Sequence, residues 1–293
     1  MKVAIYARNF DEKAAVYVQQ LFQVLEEKGV QYFIFQDFEK FIHPYSLKIK
    51  PQGWFLTAGE IKTIAPDCIL SLGGDGTLLD TVALVRDSGI PVLGINLGRL
   101  GFLASINKNE IISTIQDLLD QRFSLDSRTM IRMDSNPALF GSMNYGLNEC
   151  TIHKRDSSPM IIVHAFLNDQ FLNSYWADGL IIATPTGSTA YSLSCGGPIL
   201  FPNCENLVLT PIGPHNLSMR PVVINDDQIL SFEIEGRASE FLVSLDSRTE
   251  IAQEGTKIKI QREKFKMNLI RLHNENFLTT LRKKMMWGMD SRN

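Results

Sequence analysis

The hydrophobic periodicity of this chain changes once, near Asp126, and that change limits the possible folds more than any other feature. Before it, short apolar runs alternate with helical patterns. Residues 2 to 7 read as a buried strand, and Ala14, Val18, Leu21, Phe22 and Leu25 share one helical face between Asp11 and Gly29. Val30 to Phe35 is a second strand, Asp67 to Leu72 a third, Leu78 to Arg86 a helix, and Pro91 to Ile95 a fourth strand. A further helix is expected from Asn109 to Gln121, with Ile112, Ile115, Leu118 and Leu119 inward, whereas Phe41 to Ile64 reads as a long surface loop. Alternation of this kind implies a parallel sheet covered by helices.

After Asp126 strand candidates crowd together with few helices between them, which implies a β-rich second domain. One pair reads as a hairpin turning at Asn168-Asp169. Helical spacing returns from Asn276 to Trp287. The expected partition of the 293 residues is an α/β domain over 1–125, a β-rich domain over 126–272, and a C-terminal helix over 273–293 packing back on the first domain. Two domains also fit the prior of about 150 residues each.

Composition removes several classes of function. A net charge of −3 gives no broad cationic face, so neither nucleic acid nor a membrane surface is an expected partner. Cys68, Cys150, Cys195 and Cys204 show no paired C-x-x-C spacing, which speaks against a zinc ribbon or a disulfide framework. His153, His164 and His215 are not spaced as metal ligands, so no protein-held metal site is expected. MKVAIYARNF has no apolar leader core, and no stretch approaches the ~18 apolar residues of a membrane span. The cytoplasm is the expected compartment.

The most informative segment is Gly73-Gly74-Asp75-Gly76-Thr77, where a buried strand gives way to a helix. Open α/β sheets bind ligands outside the carboxyl ends of their strands, and glycines there let the backbone approach a phosphate. Thr77 followed by Asp80 resembles a capping box, placing the helix start near Leu78. The site would then be a phosphate cradle holding one carboxylate, Asp75. The P-loop pattern is absent, and the glycines do not form G-x-G-x-x-G. A second group, Gly94 to Phe102, would lie beside the first if the two strands are neighbours, and Arg99 could reach phosphate from it.

In the second domain, Asp178 to Ser192 repeats the pattern of strand, sharp turn and helix start, with many small hydroxyl residues and no lysine. Such a turn suits sugar hydroxyls and a flat base. Asn148-Glu149 ends another strand and pairs an amide with a carboxylate, as a ribose diol or a base edge would need.

GGDGT at 73 to 77, NLGRLGF at 96 to 102, NE at 148 to 149, DGLIIATPTGSTAYSLSCGGPI at 178 to 199 and PHNLSMRPVVI at 214 to 224 together resemble the NAD kinases, which phosphorylate NAD to NADP. The resemblance runs in order from about residue 67 to the C-terminal helix. It implies a Rossmann-like N-terminal domain, a β-rich C-terminal domain and an active site in the cleft between them. It implies Asp75 as the catalytic residue at the adenosine 2′-hydroxyl, with Gly74 and Gly76 beside it and Phe102 on the pocket wall. Asn148 and Glu149 would contact the ribose and adenine region, while Asp178, Thr189, Ala190, Tyr191 and Ser192 would hold the adenine end, with Thr186 and Ser194 in the same set. Trp176 and Asp246-Ser247-Arg248 depart from the family pattern and stay outside the set.

The family further implies ATP or polyphosphate as donor, a divalent cation, normally Mg²⁺, and a homodimer or homotetramer. GGDGT alone is shared with diacylglycerol and sphingosine kinases. A lipid kinase and a non-catalytic NAD-sensing module are therefore the alternatives, the first disfavoured by the hydroxyl-rich turn and the second by the presence of Asp75.

Overall fold

A computed structural model describes residues 1–155, 160–236, 239–272 and 276–286. It divides into two compact units, Met1–Ser127 with the segment from Met267 onward, and Arg128–Lys266.

The first unit is built on an eight-stranded sheet. Its order is Gly53–Phe55, Gln31–Phe35, Lys2–Ala7, Cys68–Gly73, Val92–Asn96, Met267–Leu272, Phe123–Arg128, with Ile106–Asn107 also pairing to Val92–Asn96. The pairings from Gly53–Phe55 through Met267–Leu272, and that of Ile106–Asn107, are parallel. Because the strand order reverses between Lys2–Ala7 and Cys68–Gly73, the carboxyl ends of these two strands form the topological switch point where such sheets bind ligands. The helix Glu12–Glu27 is capped by the Asp11 carboxylate, which accepts from the Ala14 amide, and it buries Val18, Leu21, Phe22 and Leu25 as the spacing predicts.

Four local expectations are corrected. The helix after the glycine turn is Asp75–Val85, starting three residues before Leu78, with Gly74 as its N-cap. Thr77 therefore lies inside the helix and caps nothing. The stretch 41–64 is not one loop, because it contains the edge strand Gly53–Phe55 and the helix Ala58–Ile64. A reciprocal capping box between Thr57 and Glu60 starts that helix, a signal present in the sequence. In the helix Ile111–Leu119 the inward residue is Ile111, whereas Ile112 is 52% exposed, because the buried face runs through Ile111, Thr114, Ile115 and Leu118, at i, i+3, i+4 and i+7. Finally, Met267–Leu272 is a strand of the parallel sheet, with Leu269 opposite Val92, rather than part of the β-rich region. Its apolar run fits either sheet equally well, and only long-range pairing decides between them. The last helix is Phe277–Met285; Trp287 lies outside the described residues.

The second unit contains two six-stranded sheets. One runs Val222–Asn225, Asn206–Ile212, Gly179–Ala183, Glu149–Lys154, Glu240–Leu245, Arg248–Gln253, all antiparallel. The other runs Gln170–Ala177, Ile161–Leu167, Leu230–Glu235, Lys257–Arg262, Ile131–Asn136, Tyr145–Gly146. Ile152, Leu180, Ile182 and Val243 of the first pack with Met133, Val163, Phe232 and Ile258 of the second in one core. The hairpin turn at Asn168-Asp169 has both residues at positive φ, 48° and 64°, matching a type I′ turn.

Candidate active site

At the carboxyl edge of the parallel sheet, Gly73 and Asn96 are register partners, so the two glycine groups are neighbours. Gly73 adopts φ +153°, and a Cβ there would meet Thr77 Oγ1 at 2.3 Å, so only glycine fits. Gly74 and Gly76 are exposed, with open space where a side chain would project.

Asp75, the first residue of its helix, does not point into a vacant cradle. Its Oδ2 accepts from the Phe102 amide at 2.8 Å, and its Oδ1 accepts from the Leu103 and Ala104 amides at 3.1 and 2.9 Å. A carboxylate offers about four lone-pair sites, so three are filled and one, on Oδ2, is left for a ligand. Asn96 shapes the loop that supplies these donors, giving its Nδ2 to the Arg99 carbonyl at 2.6 Å and accepting from the Gly98 amide at 2.7 Å. The Arg99 side chain is exposed. The Phe102 ring is half-buried and packs against Phe277 of the last helix at 6.4 Å between centroids.

Beside this turn lies a charged group that pattern reading missed. Asp80 receives Arg8 Nη2 on Oδ1 at 2.6 Å, pairs with Arg8 Nε through Oδ2, and accepts from the Tyr6 hydroxyl at 3.3 Å. Arg8 follows the strand Lys2–Ala7, so a 60% exposed arginine stands at the switch point on a carboxylate only 10% exposed. Burial, followed by the Asp80 charge, pushes the Tyr6 phenol up to about 12, and burial raises Asp80.

In the β-rich unit, Asn148-Glu149 enters the strand between Gly179–Ala183 and Glu240–Leu245. The turn after the latter strand places Asp246, at φ +51°, directly beneath it. Asp246 accepts from the amides of Leu147, Asn148 and Glu149 at 2.8, 2.7 and 3.2 Å. Arg248 donates to the carbonyls of Met143 and Tyr145. Asp246, one of the residues that depart from the family pattern, thus fixes Asn148 and Glu149. Asn148 Oδ1 and Glu149 Oε2 are buried and have no hydrogen-bond partner. Burial, and then the Asp246 carboxylate, pushes Glu149 up to about 8. Burial thus favours the protonated form of Glu149, which can donate a hydrogen bond as well as accept one.

The hydroxyls of the Thr184 to Ser192 turn are largely used within the fold, which corrects the expectation of a hydroxyl-lined surface. Thr184 Oγ1 donates to the Leu147 carbonyl at 2.6 Å and accepts from the Gly187 amide at 3.1 Å. Ser188 Oγ holds the Pro185 carbonyl and the Leu200 amide, Thr189 Oγ1 the Thr186 carbonyl, and Ser192 Oγ bonds Thr210 Oγ1 at 2.8 Å. Thr186 Oγ1 accepts from Arg128 at 3.1 Å. Thr189 and Ala190 are half-buried, and Tyr191 and Ser194 are exposed. Gly187 sits against the Asn148 backbone, where a Cβ would lie 2.1 Å from the carbonyl oxygen. Thr184 N donates to that same oxygen at 2.8 Å, so the turn and the Asn148-Glu149 pair form one body.

Asp178 lies at the other end of the strand from Asn148-Glu149, near the Tyr191 end of the turn. It precedes the five-residue strand Gly179–Ala183, about 17 Å from the far end at ~3.4 Å per residue. There it pairs with Lys154 at 2.7 Å, close enough to Tyr191 to raise the phenol, after burial and Cys195. The structure therefore joins Asn148 and Glu149 to the Thr184–Gly187 end of the turn, and brings the Tyr191 end of the same turn near Asp178 and its partner Lys154. Among the described residues no group of three or more His, Cys, Asp or Glu is arranged to hold a metal ion.

A parallel sheet with a glycine turn and a fixed carboxylate at its switch point, followed by a β-rich unit carrying open buried polar atoms, defines a two-domain nucleotide-handling protein. Its relatives narrow the class. The ATP-NAD kinase N-terminal domain model matches residues 3–123, and the ATP-NAD kinase C-terminal domain model matches residues 147–272. The NAD kinases of Cytophaga hutchinsonii and Christiangramia forsetii are 45% and 44% identical over 295 residues, covering 100% of both chains in each case. The chain belongs to the ATP-NAD kinase family. The fold is also that of a yeast NADH kinase complexed with NADH, at TM-score 0.87 and 23% identity over 99% of this chain and 88% of that one. An NAD kinase from Archaeoglobus fulgidus in complex with ATP matches at TM-score 0.75 and 22% identity, over 98% and 99%. Neither a lipid kinase nor a sensing module gains support from these relatives.

Proposed function

We propose that this protein is an NAD kinase that transfers a phosphoryl group from ATP or polyphosphate to the adenosine 2′-hydroxyl of NAD, with Asp75 as the residue that orients the hydroxyl. The observation that carries this reading is the single open lone pair on a carboxylate otherwise fixed by three amides. A ribose hydroxyl is a far weaker acid than a carboxylic acid, so proton transfer to Asp75 before attack is uphill. Phosphoryl transfer tolerates this, because its transition state is loose and catalysis rests on in-line positioning and charge neutralisation. Asp75 holds the hydroxyl in line and accepts its proton late.

Phosphate charge is met by Gly74 and Gly76, whose exposed backbone leaves room for close approach, and by Arg8, held at the switch point by Asp80. Arg99, exposed on the neighbouring loop, is a second cation within the same unit. The metal fit is that of an ion carried by its ligand: the available carboxylates are Asp75 and the arginine-paired Asp80, too few for a resident site. A divalent cation bound with the donor phosphates would neutralise their charge.

In the β-rich unit, Asn148 Oδ1 and Glu149 Oε2 are the acceptors and, for Glu149, the donor that suit ribose hydroxyls and a base edge. The Thr184 to Ser192 turn contributes its rigid backbone, with Tyr191 exposed to stack on a ring. Assembly into a homodimer or homotetramer is part of this reading. No helix among the described residues is long and apolar enough to cross a membrane, and a cytoplasmic location is part of this reading. The test is NADP formation from NAD and Mg²⁺ with ATP or polyphosphate, read by an NADP-specific dehydrogenase. NADP with either donor supports the reading, and none with both rejects it.

A further inference from the structure

Phe102, Leu103 and Ala104 spend their amides on Asp75, so the loop that fixes the carboxylate has little ladder of its own; its internal backbone bond, Gly101 N to Ala104 O, is long at 3.4 Å. Something else must set its position. Leu103 and Ala104 are buried at 4% and 1%, which fixes the loop's depth but not its height over Asp75. The C-terminal segment supplies the rest. Arg271, in the strand Met267–Leu272, gives Nη1 to Ser105 Oγ at 2.7 Å and Nη2 to the Phe102 carbonyl at 3.5 Å. Its Nε donates to Asp126 Oδ2 at 3.2 Å. Its side chain is 16% exposed and that of Asp126 18%, so the fork is held in one geometry. Six residues on, the last helix places Phe277 against the Phe102 ring and Lys284 Nζ 5.6 Å above that ring.

We propose that Arg271 is a positioning residue for the phosphoryl transfer, setting the loop 102–105 from behind and through it the orientation of Asp75. The inference rests on the reading of this protein as an NAD kinase with Asp75 at the hydroxyl. A planar guanidinium reaches three acceptors in fixed directions at once, and an ammonium does not. Loss of the fork lets the three amides drift, and a misplacement near 1 Å costs about 10²-fold in rate without removing any group that touches a substrate.

The experiment is steady-state kinetics of NADP formation for the wild-type chain, Arg271→Lys, Arg271→Ala and Ser105→Ala, with circular dichroism and thermal melting of each. The expected result is a kcat lowered about 10- to 100-fold in both Arg271 variants, KM for NAD and for ATP within about threefold, and a smaller kcat loss in Ser105→Ala. Added guanidinium chloride at low millimolar concentration restores part of the kcat of Arg271→Ala and none of Arg271→Lys, a response that a merely structural role does not give. If Arg271→Ala does not fold, Arg271→Lys carries the test. A folded Arg271→Lys with wild-type kcat overturns the proposal, as does a loss of activity that only follows the unfolded fraction. A wild-type chain that makes no NADP rejects the functional reading instead.

Discussion

Gly101 and Asp75 compete for one small volume: a Cβ on Gly101 would lie 1.7 Å from Asp75 Oδ1. The glycine is there so that the carboxylate can lie under the next three amides. Gly101→Ala must push Asp75 out of that bed, and the expected outcome is a kcat at least ~10²-fold lower with the fold retained, read by the coupled assay beside a melting curve. A variant with wild-type turnover would show that the three amide bonds are not part of the working site.

Glu149 gives a pH signature. Its folded value is raised to about 8, so its contribution to stability is fully present below the ordinary carboxylate range and is lost as pH rises through about 8. The wild-type melting temperature should therefore fall between about pH 5 and pH 8.5 more steeply than that of Glu149→Gln, which is neutral throughout. The ceiling on the difference is about 1.4 kcal/mol per pH unit. Parallel melting curves for the two proteins would remove the argument that Glu149 is protonated at neutral pH.

Arg8→Ala should act on the donor and not on NAD. With the cation removed from the switch point, KM for ATP is expected to rise about tenfold, as loss of one charge-assisted contact gives, while KM for NAD stays within twofold. Initial rates over a grid of both substrates separate the two. Equal effects on both constants would assign Arg8 a purely structural part in holding Asp80.

Thr184 joins the turn to Asn148-Glu149 with a hydroxyl that donates to Leu147 O and accepts from Gly187 N at 0% exposure. Thr184→Val keeps the shape and strands both partners, at about 1–3 kcal/mol. Chemical denaturation should show that loss together with a raised KM for NAD. Unchanged stability would mean the two backbone groups find other partners.

Much of this site was legible because its strongest signals are local. Strand, glycines and carboxylate follow one another at Gly73 to Asp75, and the turn Thr184 to Ser192 is continuous. What was missed lies across the chain. Asp246 reaches Asn148 over 98 residues, Arg8 reaches Asp80 over 72, and Arg271 reaches Asp126 over 145. Hydrophobic periodicity carries no information about such pairings, and for the same reason the expected domain boundary at residue 272 falls beyond the strand Met267–Leu272, which pairs into the parallel sheet. The turn hydroxyls were misread differently: residue type shows that a hydroxyl is present, whereas only the folded backbone shows that Ser188 and Ser192 are already bonded within it. The helix start was misplaced because Thr77 and Asp80 fit a capping pattern, while Gly74 caps one turn earlier and Asp80 serves Arg8.

The most direct measurement is NADP formation by the wild-type chain and by Asp75→Asn at saturating NAD, ATP and Mg²⁺. Asparagine keeps the size but loses the proton acceptor, and its N–H₂ replaces one oxygen, so at least one of the amides of Phe102, Leu103 and Ala104 loses its acceptor. The account predicts NADP from the wild type and a kcat lowered at least ~10²-fold in Asp75→Asn, within the range assigned to one acid–base group. A variant that turns over at near the wild-type rate would contradict it.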